Sequence, residues 1–279
     1  TIYCVIEVII LKIKLLASDI DGTLVNDEKE ILEQTKQDLQ LFMKRCGVFV
    51  LAAGRPTHGI ARYIEELELR RYGGYVISYN GARTFSVRTG ELLSQKSISP
   101  EVYPAIFDAA EDLNLPLTAY SSHDVAVTEK ANDDYFKMET TVNRLEIQRV
   151  PSLRETLTWP TPKFLITGTP DFLSDAEIKL RDRLKGLPVC VFRSEPFFLE
   201  ITAIGCDKGT AILELAERLR IDRSETMACG DGFNDITMLR AAGIGVAMAN
   251  AQTPAKNAAD FITLSNNDNG FCFALRKFA

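Results

Sequence analysis

The most constraining feature of this chain is an alternation of short apolar runs with amphipathic stretches that appears at its start and returns near its end. Ile13–Ser18, Val48–Ala52 and Tyr75–Ser78 read as buried strands, being short, apolar and bounded by loop residues. Between the first two, Ile31, Leu32, Thr35, Leu39, Phe42, Met43 and Cys46 recur at spacings of three and four, which predicts an amphipathic helix. Ile60, Tyr63, Ile64 and Leu67 mark a second helix before the third strand. Strand, helix, strand, helix, strand requires parallel neighbours joined by right-handed crossovers. The pattern resumes with a helix over Lys208–Leu219, a strand over Thr226–Cys229, a helix over Phe233–Ala241 and short strands near Ile244 and Phe261. Residues 84–195 differ in texture, with hairpin-like pieces, several prolines and helices near Pro100–Leu113 and Pro170–Leu184. The expectation is an α/β protein: a doubly wound parallel-sheet (Rossmann-like) core from residues 1–83 and 196–279, with an inserted α+β cap domain at 84–195.

Length agrees, since 279 residues at about 150 per domain is worth two domains. The balance of 32 basic against 38 acidic residues, a net charge of −6, gives no basic excess for nucleic acid or an anionic membrane surface. The two histidines, His58 and His123, are too few for a three-histidine metal site, so chemistry is expected to rest on carboxylates. Six cysteines without metal-ligand spacing read as free thiols. The apolar run Thr1–Leu11 falls short of the ~20 residues of a spanning helix. It also lacks the basic start of an export signal, so a cytoplasmic protein is expected.

Ligands of an open parallel sheet bind at the carboxyl ends of its strands. Four segments fall there or at a helix start: Asp19-Ile20-Asp21-Gly22-Thr23, Ala53-Gly54-Arg55, Cys206-Asp207-Lys208-Gly209, and Gly230-Asp231-Gly232-Phe233-Asn234-Asp235. Each has a duller reading. Asp-Gly-Thr and Gly-Asp-Gly are common turns, Asp207 suits a helix N-cap, and Lys208 suits a solvated surface. Charged clusters converging on one sheet edge in this order are not a packing pattern.

These segments resemble the haloacid dehalogenase-like superfamily. Asn80-Gly81-Ala82, the run from Met238 through Ala251, Lys256, Ala259-Asp260 and Ser265-Asn266 with Gly270 resemble its Cof-type hydrolases. The resemblance implies a Mg²⁺-dependent phosphatase of small phosphorylated metabolites, sugar phosphates or phosphorylated cofactors, working through an aspartyl-phosphate. It implies Asp19 as nucleophile, Asp21 as acid and base, and Lys208 as the neutralising cation. It places Mg²⁺ on Asp19, the Asp21 backbone carbonyl and Asp231, with Asp235 supporting them. Ile20, Ala53, Gly54, Lys208 and Asn234 are the implied phosphate-binding residues. The chemistry is consistent, because a phosphate dianion repels a carboxylate unless a divalent cation bridges them, and Mg²⁺ prefers hard oxygen ligands. A phosphomutase would share these residues. A phosphometabolite-binding or regulatory protein with weakened catalysis is the alternative from another class. A dehalogenase needs neither metal nor the second aspartate.

One position departs from the family pattern. The residue before Gly54-Arg55 is usually Thr or Ser, whose hydroxyl binds the phosphoryl group, and here it is Ala53. The backbone N–H groups of Ala53 and Gly54 are still expected to donate, but one hydrogen bond is missing, so either activity is reduced or a neighbour, a water or Thr57, fills the role. His58 is expected in solvent. His123, Tyr120, Tyr135 and Phe136 are candidates for the substrate side, with core packing or an exposed loop as the alternatives. Asp27-Glu28-Lys29-Glu30 reads as a solvated loop and helix start.

Overall fold

The computed structural model describes residues 12–279; the apolar run at residues 1–11, with Cys4, lies outside them. Eight strands form the larger sheet: β1 (Leu15–Ser18), β2 (Val48–Ala52), β3 (Tyr75–Ser78), β4 (Arg83–Ser86), β5 (Leu92–Gln95), and from the end of the chain β12 (Thr226–Gly230), β13 (Ile244–Ala247) and β14 (Phe261–Ile262). Their order is β14-β13-β12-β1-β2-β3-β4-β5. The six from β14 to β3 run parallel, as the alternating pattern requires. β1 lies at the centre and is buried on both faces. Side chains alternate across it. Leu16 joins Phe49, Leu51 and Val76 on the face covered by Leu39, Phe42 and Met43 of the helix Glu33–Lys44. Leu15 and Ala17 join Val50, Ala52 and Ile77 on the face covered by Ala211, Ile212 and Leu215 of the helix Lys208–Arg218. Both faces are therefore dry, which is why the strands read as continuous apolar runs.

The second sheet is built from β6 (Leu117–Tyr120), β7 (Ala126–Thr128), β8 (Ile147–Arg149), β9 (Lys163–Thr167), β10 (Val189–Glu195) and β11 (Phe198–Ala203), in the order β10-β11-β9-β6-β7-β8. It has its own apolar cluster, with Ile106 and Phe107 of the helix Tyr103–Asp112 and Leu173 and Leu180 of the helix Pro170–Arg183 packed on Phe164 and Ile166.

Sheet membership departs from the division expected at residues 84 and 196. β4, which begins at the first limit, pairs antiparallel with β3, and β5 beyond it pairs antiparallel with β4, so both extend the larger sheet. β11, placed by sequence in the core, pairs with β10 and β9 in the second sheet. Hairpin texture locates a turn but not the sheet its second strand joins. At Tyr79-Asn80-Gly81 three successive positive φ angles turn the chain straight back onto β3. A Cβ on Gly81 would lie 2.3 Å from the Asp207 carbonyl oxygen, so the turn and the start of the helix Lys208–Arg218 touch only because that residue is glycine. Among the described residues no helix is long and apolar enough to cross a membrane, and Cys46, Cys190, Cys206, Cys229 and Cys272 are free.

Candidate active site

The carboxyl ends of β1, β2 and β12 are neighbours in the sheet, so the loops after them meet. The turn after β1 carries Asp19 and Asp21. Gly22 follows at φ +73°, where an added Cβ would lie 2.4 Å from Asp231 Oδ2. That close approach lets Thr23 Oγ1 donate to Asp231 Oδ1 at 2.7 Å, so the Asp-Gly-Thr turn fits one loop against the other.

Lys208 opens its helix, with Asp207 accepting from the Thr210 N–H at 2.9 Å as N-cap. The Lys208 side chain is fully buried, and Nζ donates to Asp19 Oδ1 at 2.5 Å and to Asp235 Oδ1 at 2.6 Å. The solvated-lysine reading therefore does not apply. Asp235 Oδ2 accepts the N–H groups of Asp231 and Gly232, both at 2.8 Å, so its two oxygens hold the lysine and the β12 loop.

Asp19, Asp231 and Asp235 each offer an oxygen within 4.8 Å of the others. Three carboxylates thus crowd together with one ammonium, which pairs directly with Asp19 and Asp235. Burial pushes the Asp19 carboxyl well above its ordinary range; Lys208 opposes this, while Asp235, Asp231 and Asp21 add to it. Burial and then Asp235 raise Asp231 to about 7, against the Thr23 hydroxyl and Lys208. Burial alone would lower Lys208, but Asp19 and Asp235 overcome it and keep the ammonium charged. Gln252 donates its N–H to the Asp231 carbonyl at 2.9 Å, and its buried Oε1, on a residue lining the same cavity, has no partner. An all-oxygen, negatively charged set with an orphaned acceptor beside it fits a hard divalent cation.

Asp21 faces the other way. Arg55 grips it with Nε to Oδ2 and Nη2 to Oδ1, both 2.7 Å, and Lys29 adds a 2.9 Å contact. Burial would raise the Asp21 carboxyl, but the Arg55 hydrogen bonds and the charges of Arg55 and Lys29 outweigh it and hold it at about 2. Neither cation is given a role by the sequence: Arg55 stands without one in the Ala53-Gly54-Arg55 segment after the second strand, and Lys29 reads as part of a solvated run.

The expected phosphate-binding set is only partly free to bind. The Ala53 N–H donates to the Ile77 carbonyl at 2.9 Å, so it belongs to the strand ladder and corrects the expectation that it faces a phosphate. Thr57 Oγ1 is paired with Ser78 Oγ at 2.9 Å and does not replace the absent hydroxyl. Gly54 borders the cavity. Asn234 borders it too, its Nδ2 donating to Asn80 Oδ1 at 2.9 Å. The Ile20 side chain is in the core, leaving only its backbone for a ligand.

A cavity of about 340 Å³ opens above Asp19, Asp21 and Asp231 and is walled on its far side by the second sheet and the helix Asp134–Val142. The two parts are tied together behind it. Lys163 Nζ lies 2.9 Å from Glu200 Oε1, both residues buried, and reaches the Gly54 carbonyl at 3.4 Å. Asn80 Nδ2 donates to Glu200 Oε2 at 3.1 Å. Asp124 accepts from the His58 N–H, Tyr79 Oη and Arg83 Nη1 at 2.7–2.8 Å. His58 and His123 are exposed. Tyr120 and Phe136 are core, and Tyr135 stacks on Phe197 outside the cavity lining. The wall residues Glu139, Asn143 and Glu195 carried no sequence signal, because nothing local to them marks the site they face.

Comparison with known proteins gives one picture. Residues 16–275 match the family model described as haloacid dehalogenase-like hydrolase. The chain is 34% identical to YxeH of Bacillus subtilis (strain 168) over 266 residues, 95% of this chain and 97% of that protein. The crystal structure of a haloacid dehalogenase-like hydrolase from Bacteroides thetaiotaomicron superposes with a TM-score of 0.86 at 37% identity, covering 96% of this chain and 100% of that one. The HAD subclass IIB sugar phosphatase BT4131 superposes with a TM-score of 0.81 at 28% identity over 95% and 98% of the two chains.

Proposed function

Since the chain belongs to the haloacid dehalogenase-like hydrolase family, we propose that it is a Mg²⁺-dependent phosphatase that hydrolyses small phosphorylated metabolites, sugar phosphates among them, through an aspartyl-phosphate. The observation that carries the reading is the crowding of Asp19, Asp231 and Asp235 beside the buried ammonium of Lys208. Asp19, Asp231 and the Asp21 carbonyl would hold Mg²⁺, which would supply the positive charge that lets a carboxylate approach a phosphate dianion.

The chain's own residues do the rest. Lys208 holds Asp19 Oδ1, which leaves Oδ2 free to attack phosphorus. As that P–O bond forms and the ester P–O bond breaks, the leaving oxygen takes a proton from the Asp21 carboxyl. Asp21 then accepts a proton from water as the water oxygen attacks phosphorus, releasing inorganic phosphate and restoring Asp19. To do this Asp21 must leave the grip of Arg55 and Lys29, so the observed pairing is a resting arrangement. Lys208 and the Gly54 N–H offset charge on the phosphoryl oxygens.

The test is release of inorganic phosphate from a panel of phosphate esters, with Mg²⁺ and with a chelator, by wild type and Asp19→Asn. Mg²⁺-dependent release that the substitution lowers by about a thousandfold or more is expected. Near-normal release by Asp19→Asn would remove the mechanism, and phosphate moved to a second position of the same sugar without release would make the protein a phosphomutase.

A further inference from the structure

The side of the cavity that faces the leaving group is formed by two pieces of the second sheet's domain, the helix Asp134–Val142 with Asn143 after it, and the turn between β10 and β11. Three cations line the cavity, and each is bound to a carboxylate: Lys29 and Arg55 to Asp21, Lys163 to Glu200. The free valences on the wall are acceptors. The Glu195 side chain is exposed at the cavity mouth and has neither an ion pair nor a hydrogen bond among the described residues, and it lies in the cavity lining with Asp19 and Asp21. A bulge between Arg193 and Glu195 interrupts the β10–β11 register, and bulges of this kind re-aim the side chain that follows. Asn143 is buried, donates Nδ2 to the Glu139 carbonyl at 2.9 Å, and seats its Oδ1, which has no hydrogen-bond partner among the described residues, against Gly59 behind the wall. On the same wall Met138, Val142 and Phe197 present apolar surface.

We propose that Glu195 is a specificity-determining residue: it accepts hydrogen bonds from hydroxyl or ammonium groups of the leaving group, and it repels leaving groups that carry a carboxylate or a further phosphate. A carboxylate forms charge-assisted hydrogen bonds with a hydroxyl or ammonium donor, so a hydroxyl-bearing leaving group gains a contact that an isosteric carboxylate cannot make. Like charges brought together in a partly desolvated cavity add to the discrimination. The apolar strip accommodates the carbon skeleton. This inference rests on the phosphatase reading and narrows it to a class of leaving group.

The matched probes are glycerol 3-phosphate and 3-phosphoglycerate, which differ by a hydroxymethyl against a carboxylate at the end remote from phosphorus. Wild type is expected to favour glycerol 3-phosphate in kcat/KM by about tenfold or more. Glu195→Gln, which keeps an acceptor and loses the charge, should bring the ratio toward one, and Glu195→Lys should invert it. Because the readout is a ratio on one preparation, a change in the amount of folded enzyme cancels. A wild type that hydrolyses both esters with a ratio unmoved by either substitution overturns the proposal alone. So does a wild-type preference for 3-phosphoglycerate, which would mean that Arg55 and Lys29, once released from Asp21, set the charge of the leaving group. A wild type that hydrolyses neither these esters nor 4-nitrophenyl phosphate overturns the phosphatase reading and this proposal with it.

Discussion

Asp21 and Arg55 form a two-point ion pair, Nε to Oδ2 and Nη2 to Oδ1 at 2.7 Å each, between the loops that follow β1 and β2. This fork-to-fork geometry is the strongest arrangement open to a carboxylate and a guanidinium. It holds the Asp21 carboxyl at about 2 against an ordinary 3.8. A carboxyl lowered in the folded state contributes stability that is complete above its ordinary value and is lost as pH falls through the folded one. In chelator, Asp21→Asn should therefore cost about 1 kcal/mol at pH 7, the figure being discounted because the side chain is 35% exposed. That cost should be unchanged down to about pH 5 and should shrink between pH 4 and 2. Urea unfolding of the two proteins across that range measures it, and a difference independent of pH would mean that the pair contributes no charge energy.

Asp19 carries the opposite sign. Its carboxyl is raised by burial and by its carboxylate neighbours, so at neutral pH placing it in the folded site costs stability, and the cost shrinks as pH falls toward the ordinary 3.8 and is absent below it. Asp19→Asn should melt a few degrees above wild type in chelator at pH 7 while losing turnover, and the gap should close toward pH 4. Saturating Mg²⁺ should also close it. Calorimetry in chelator and in Mg²⁺ gives both comparisons, and a variant less stable than wild type in chelator would contradict this electrostatic reading of the cluster.

Ala53 borders the cavity, and its N–H is committed to Ile77 while Thr57 is committed to Ser78. No hydroxyl is therefore in place where the family pattern has one. Ala53→Thr should raise kcat about tenfold on the best substrate, with a smaller effect on KM, because a donor to the phosphoryl oxygens strengthens in the transition state. Ala53 is itself buried, so a cost of about 1 kcal/mol in stability is expected alongside. An unchanged or lower kcat would show that the site does not lack this contact.

Gly59 lies under Asn143: a Cβ there would sit 2.1 Å from Asn143 Oδ1 and 2.9 Å from its Cγ. Gly59→Ala must displace Asn143 and the end of the helix before it, which form the wall of the cavity. KM for a hydroxyl-bearing ester should rise about tenfold with the fold retained, the usual 1–3 kcal/mol of overpacking appearing as lost docking. Steady-state kinetics beside a melting curve separates this from simple unfolding, and an unchanged KM would mean that the wall tolerates the shift.

The sequence by itself determined the parallel sheet and the chemistry at its edge. Apolar period reports how each strand and helix is buried, and the charged residues directly after β1 and β12 and at the start of the helix Lys208–Arg218 had to point to one end of the sheet once the strands were parallel. Lys208 and Asp19 meet across 189 residues because both sit at such ends. Only the tertiary structure decided the rest. β4, β5 and β11 chose their sheets by hydrogen bonding that hairpin texture does not encode. The Ala53 amide went to the ladder, Arg55 went to Asp21, and Asn143 and Glu195 came to the cavity from segments with no local mark of it. Periodicity records whether a side chain is buried, whereas partnership depends on which distant loops the packing of two sheets brings together.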